Sequence, residues 1–196
     1  MSERIGRLRL LLLGAPITVL ALAATVSADT IYVCWDGSGD YLTIQEGIDA
    51  ASDGDEVVVC DGVYTGTGNK NLDFHGKAIT VRSENGPENC TIDCQNTGRG
   101  FYFHSAEPSD AVLDGFTVTR GSVEGYGGGI YCESSDPTII NCIVEGNAAV
   151  DRGAGIFCGA GAEPTIKSCV LRNNYGGGLG CEDSSPTVVD CRIVDN

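Results

Sequence analysis

The sequence predicts an all-β solenoid, a chain wound as a parallel β-helix with one short helix covering its N-terminal end. Three observations point there. First, similar segments recur through the second half, with Phe101, Ile130, Ile156 and Leu179 as successive equivalents 29, 26 and 23 residues apart. Second, each segment alternates fixed apolar positions with variable ones, the period-2 signature of strands with one buried face. Third, Gly is 28 of 196 residues and clusters with Pro between the strand-like runs, where bends are needed.

The first element is a leader. Arg4, Arg7 and Arg9 precede an apolar run from Leu10 to Val26, and Val26-Ser27-Ala28 is a small-residue cleavage site. This predicts a signal peptide over residues 1–28 and a secreted, extracellular or cell-surface protein. No Cys follows the run at a lipoprotein position, so acylation and membrane insertion after cleavage are not expected. Losing three Arg and one Glu takes the net charge from −15 to −17. So acidic a surface disfavours nucleic-acid and anionic-membrane partners. All ten Cys lie in the exported part, where disulfides persist.

Residues 29–97 read as a cap and first irregular coils. Ile31–Val33 is a strand. Thr43–Ser52 is an amphipathic helix with Ile44, Ile48 and Ala51 on one face. Asp55–Tyr64 is a strand and turn, and further strands follow at Ala78–Arg82 and Cys90–Cys94. A helix at this end would shield backbone groups that otherwise invite edge pairing.

Residues 98–196 hold the repeats. Three copies align, GGGIYCESSDPTIINCIVEGN from Gly127, GAGIFCGAGAEPTIKSCVLRNN from Gly153 and GGGLGCEDSSPTVVDCRIVDN from Gly176. A degenerate copy starts at Gly98. Ile130/Ile156/Leu179, Ile139/Ile166/Val188 and Val144/Leu171/Ile193 stay apolar and should face inward. Lys167 and Arg192 stand between such positions and should face water. A unit of this length buries a core only by stacking. The last unit stops at Asn196 within a repeat, so the natural protein is expected to continue with further coils.

The GGGI, PTIxNC and GN elements resemble the right-handed parallel β-helix repeats of the pectin-lyase-like superfamily. The segment GDYLTIQEGIDAASDGDEVVVCDGVYTG, from Gly39, is similar to the opening of pectin esterases and related β-helix proteins. The resemblance implies a single-stranded right-handed parallel β-helix with a short N-terminal capping helix. It specifies activity poorly, because that superfamily holds lyases, hydrolases, esterases, adhesins and non-enzymes.

Several columns could carry function. Tyr102, Tyr131 and Phe157 should face outward in a row, a stripe suited to the sugar rings of a polysaccharide or surface glycan, or to packing on itself. Glu107, Asp136 and Glu163 precede the bend prolines and could hold Ca²⁺, or simply be solvated turn residues. No other cofactor is required. Asn147, Asn174 and Asn196 form a row that should hydrogen-bond along the axis. Cys132, Cys158 and Cys181 form one column and Cys142, Cys169 and Cys191 another. They would pair across each coil (Cys132–Cys142, Cys158–Cys169, Cys181–Cys191) or stack as free thiols. Cys34 and Cys60 could bridge two neighbouring strands, whereas Cys90 and Cys94 are too far apart along one strand to pair.

Catalytic signatures are largely missing. The chain has only two His, at Phe74-His75-Gly76 and His104, and no HExxH, GxSxG or phosphate loop. The paired-Asp and Arg-x-Lys motifs of polygalacturonases and the Gln and Asp motifs of pectin esterases have no counterpart. Arg99 and Arg120 are candidates for the base of a pectate lyase, without a matching motif. The sequence therefore favours a non-catalytic, glycan-binding or structural and adhesive protein. The alternative is a polysaccharide lyase or glycoside hydrolase whose active site lies on coils beyond Asn196.

Overall fold

The computed structural model describes residues 28–196. The leader expected over 1–28 thus lies outside the described residues, apart from Ala28. The chain runs β1 (Thr30–Val33), α1 (Ile44–Ala50), β2 (Glu56–Val59), β3 (Gly62–Tyr64), β4 (Thr80–Ser83), β5 (Cys90–Asp93), β6 (Phe101–Phe103), β7 (Val112–Asp114), β8 (Thr117–Thr119) and β9 (Ser122–Val123). It continues through β10 (Ile130–Glu133), β11 (Thr138–Ile140), β12 (Ile143–Glu145), β13 (Ala148–Ala149), β14 (Ile156–Gly159), β15 (Thr165–Lys167), β16 (Val170–Arg172), β17 (Leu179–Glu182), β18 (Thr187–Val189) and β19 (Arg192–Val194).

These strands stack into three long parallel sheets that wrap one core, and β9 and β13 form a short fourth one. The first is β1-β2-β4-β7-β11-β15-β18, the second β6-β10-β14-β17 and the third β3-β5-β8-β12-β16-β19. Register follows the sequence repeat, so Ile130 pairs with Phe101 and Ile156, and Ile139 with Leu113 and Ile166. The inward columns are buried through Ile156, Ile166 and Leu171, whereas Leu179 is half-buried and Val188 and Ile193 of the last coil are exposed; Lys167 and Arg192 are exposed as expected.

Helix α1 covers the first coil. Thr43 and Glu46 form a capping box, worth about 1 kcal/mol. Ile44 and Ile48 are buried, and a Cβ on Gly47 would stand 2.5 Å from Val33 Cγ2, so the helix lies directly on the inward side chains of β1 and β2. Lys77 Nζ donates to the Ile48 and Asp49 carbonyls at its C-terminal end (2.8 and 2.9 Å). The Cys34–Cys60 bridge is formed, tying the chain after β1 to the chain after β2.

The corners explain the polar punctuation. One left-handed residue turns the chain from the first sheet to the third in successive coils: Gly115, Asn141 (φ 53°), Ser168 (φ 54°) and Asp190 (φ 53°). Asn and Asp tolerate this region through local hydrogen bonding, and Asn141 Nδ2 donates to Asp114 Oδ1 of the preceding coil at 2.8 Å. The glycine runs mark close approach of backbones, since a Cβ on Gly121 would lie 1.8 Å from the Gly128 carbonyl oxygen.

The asparagine row is a continuous ladder, buried at Asn147 and Asn174 and exposed at Asn196. Asn147 Nδ2 donates to Val118 O (3.0 Å) and Asn174 Oδ1 (3.1 Å), while Asn174 Nδ2 donates to Val144 O (2.9 Å) and Asn196 Oδ1 (2.8 Å). The cysteine columns take the stacked form instead of the cross-coil one. Cys132, Cys142, Cys158, Cys169, Cys181 and Cys191 are all free thiols. Cys132, Cys158 and Cys181 are register partners on adjacent strands of the second sheet. Cys142 and its equivalents follow the first sheet, with Ile130, Ile139 and Val144 in the same core. Burial pushes the Cys132 and Cys142 thiols well up, and they behave as small core hydrophobes. Cys90 and Cys94 are likewise free and buried, each pushed up to about 12 by desolvation.

Candidate functional site

The outer face of the second sheet carries the richest cluster of chemistry. In β6, β10 and β14 the central residue points away from the core, and parallel register stacks Tyr102, Tyr131 and Phe157. Tyr102 and Tyr131 lie face to face with centroids 5.1 Å apart, and Tyr131 meets Phe157 edge-on at 5.5 Å. Gly180 ends the row in β17.

Phe157 departs from the expectation of an open stripe. It is only 2% exposed, because Tyr126, from the turn before β10, stacks over it at 4.3 Å. The aromatic residues of this face that still reach solvent are Tyr102, Tyr131 and Tyr126, all half-buried. The sequence offered no sign of Tyr126, which stands outside the strand alternation. The stripe packs on itself at its Phe157 end, and Tyr102 and Tyr131 are partly exposed.

Arg99 completes the face. Its guanidinium sits 4.6 Å from the Tyr102 centroid and 5.3 Å from that of Tyr131. Its Nε and Nη2 donate to the carbonyls of Gly127 and Tyr126 (3.2 and 3.1 Å). Burial lowers its pKa from the ordinary arginine value, against the pull of Tyr102, Tyr131 and Glu133. The Tyr102 hydroxyl donates to Glu133, and desolvation together with that carboxylate pushes its pKa up to about 12. Arg120, the other candidate base, is instead bound to Asp93, whose carboxyl it holds below the usual range.

The two histidines converge beside this face, which the sequence did not reveal. His104 stacks on Tyr102 at 4.0 Å. The Asp73 carboxylate lies 3.1 Å from His104 Nε2 and 3.0 Å from His75 Nδ1. His75 Nε2 is 3.3 Å from Asp49, and Gln45 of α1 bonds both the Asp49 carboxylate and the Asp73 backbone. The signal was spacing, since His75 and His104 are 29 residues apart, one coil.

The acidic row does not assemble a cation site. Glu107 is buried and spends its carboxylate on Gly76 N (2.9 Å), Ser105 N (3.0 Å) and Ser135 Oγ (2.8 Å), knitting three successive coils together. Asp136 is exposed and accepts from Glu163 N at 2.6 Å, while the Glu163 carboxylate faces solvent. Among the described residues, no group of three His, Cys, Asp or Glu side chains is arranged to hold a metal ion. The row is geometrically a set of turn and inter-coil ties.

Fold and face together define a parallel β-solenoid with a partly open aromatic ladder on one outer sheet. The chain belongs to the right handed beta helix region family, whose profile matches residues 57–196. It is similar in structure to the pectate lyase Pel9A, with a TM-score of 0.62 and 18% identity over 85% of this chain and 48% of that one. A pectin methylesterase from carrot aligns with a TM-score of 0.45 and 18% identity, over 85% of this chain and 65% of that one. No curated protein matches the chain. At these identities the likeness is one of fold, and the chain spans about half the length of that pectate lyase.

Proposed function

We propose that this chain is a secreted, non-catalytic glycan-binding β-solenoid, with the outer face of the second sheet as its binding surface. The observation that carries the reading is the rigid stack of Tyr102, Tyr131 and Arg99. Aromatic faces at coil spacing suit the apolar faces of sugar rings, and Glu133, His104 and the tyrosine hydroxyls supply hydrogen-bonding groups beside them. Secretion is supported by the leader pattern and by the Cys34–Cys60 bridge. Asp29, the first residue after the expected leader, donates its N–H to the buried Asp55 carboxylate at 2.8 Å.

Electrophoresis through gels containing single polysaccharides tests this. Wild-type protein should be retarded by at least one glycan, and Tyr131→Ala should run unretarded in that gel. Unretarded migration of the wild type through a broad panel would reject the reading.

A second reading rests on the shared carboxylate of His75 and His104. A proton-carrying array beside a sugar-binding face suits a polysaccharide lyase or glycosidase. Release of unsaturated or reducing ends by the wild type, abolished in His104→Ala, would favour it over pure binding.

A further inference from the structure

Trp35 is the single tryptophan of the chain, and it is 62% exposed. A lone exposed apolar side chain is ordinary, but this one is held rigidly from four directions. Its neighbour Cys34 is bridged to Cys60. Its indole Nε1 donates to the Asp61 carbonyl at 3.1 Å. The Cδ1–Nε1 edge of its ring lies against Gly62, where a Cβ would stand 2.6 Å from both atoms, so a glycine at this place leaves room for the indole. Beneath, the buried Tyr64 hydroxyl donates to Val33 O (3.0 Å) and Cys60 O (3.1 Å), fixing the backbone on both sides of the bridge.

The indole is therefore held by its Nε1 edge while most of the ring is open to solvent. The segments on either side carry polar groups. Asp61 follows the bridge and accepts from Asn85 Nδ2 at 3.2 Å, and the Asp36 carboxylate is turned onto Ser38 next door. Both carboxylates act on Tyr64, so they share this corner. The loop that follows lines a shallow pocket of about 390 Å³ with Gly39, Asp40, Tyr41, Leu42 and Glu46.

From this geometry we propose that Trp35 is a second carbohydrate platform, separate from the tyrosine face, and that it takes uncharged sugar rings. A pre-ordered indole loses little freedom on stacking with a pyranose. Asp36, Asp61 and Asn85 suit sugar hydroxyls as hydrogen-bond partners. The same carboxylates repel uronate or sulfated rings, which sets the class of ligand. The site does not rest on the tyrosine face, and either can fail without the other.

Because Trp35 is the only tryptophan, its emission reports the site directly. The probes are β-1,4-linked hexaoses of glucose, xylose and mannose, with a galacturonate hexaose as the charged comparison. The expected result is a saturable change in emission with at least one neutral hexaose, and affinity at least about tenfold weaker for the galacturonate. By calorimetry, Trp35→Ala should weaken that neutral ligand at least about tenfold at an unchanged melting temperature. Trp35→Phe, which keeps an aromatic face, should fall between. Tyr131→Ala should leave the Trp35 titration unaltered. No saturable change with any neutral hexaose, equal affinity for the galacturonate, or full calorimetric affinity in Trp35→Ala would overturn the proposal.

Discussion

Two columns with the same coil period run along this solenoid, asparagines inside and aromatics outside. Asn147 is fully buried and its amide is committed at both ends, to Gly121 N (2.8 Å), Val118 O (3.0 Å) and Asn174 Oδ1 (3.1 Å). Tyr131 has the same kind of stacked neighbours, yet part of its ring faces water. A saturated interior ladder has no spare capacity for a ligand, so its contribution is stability. An exterior ladder that is partly exposed is where the proposed binding would fall. On that proposal the repeat separates the two jobs by the side of the sheet on which each residue falls.

The largest expected effect is on the inner column. Asn147→Ala would orphan the Gly121 N–H and the Val118 carbonyl, at about 1–3 kcal/mol for each buried group. Melting should fall by roughly 5–20 °C, measured by circular dichroism or calorimetry. A shift as small as that of a surface substitution would break the contrast.

The outer column should respond to alkali. The Tyr102 pKa is raised from the ordinary tyrosine value near 10 to about 12. Its contribution to stability is therefore complete below about pH 10 and is lost as pH rises through about 12. Tyr102→Phe should flatten this part of the stability profile and, by removing the hydrogen bond to Glu133, lower stability at neutral pH by about 1 kcal/mol. An unaltered alkaline slope would mean that the hydroxyl is solvated and the face looser than described.

The smallest effect belongs to the corners, which serve neither column. Asn141 already occupies a left-handed position, so Asn141→Gly should change unfolding free energy by only a few tenths of a kcal/mol. Asn141→Ile, with a branched Cβ in that region, should cost about 1–2 kcal/mol.

Much of this was legible in the sequence, for a physical reason. Inward positions repeat because each must match the residue stacked above it, so Ile139 and Ile166 or Asn147 and Asn174 announce one another. Helix α1 was visible through Thr43, Ile44 and Ile48, with ends two residues inside the expected range on the C-terminal side. What stayed hidden came from contacts between coils that the repeat does not encode. Tyr126 covers Phe157 from a turn, Glu107 reaches back to Gly76, and Asp73 gathers both histidines only after the chain has wound once. The cysteines were ambiguous because one pattern serves stacked thiols and cross-coil bridges alike. Register placed like with like and left them unbridged.

The separation of binding from stability is tested most directly on one preparation of Tyr131→Ala, by reading its affinity for the retarding glycan and its melting temperature together. The account predicts affinity at least about tenfold weaker, with melting within about 2 °C of wild type. Unchanged affinity with melting lowered as far as in Asn147→Ala would contradict it, and would make the aromatic column a structural ladder like the one inside.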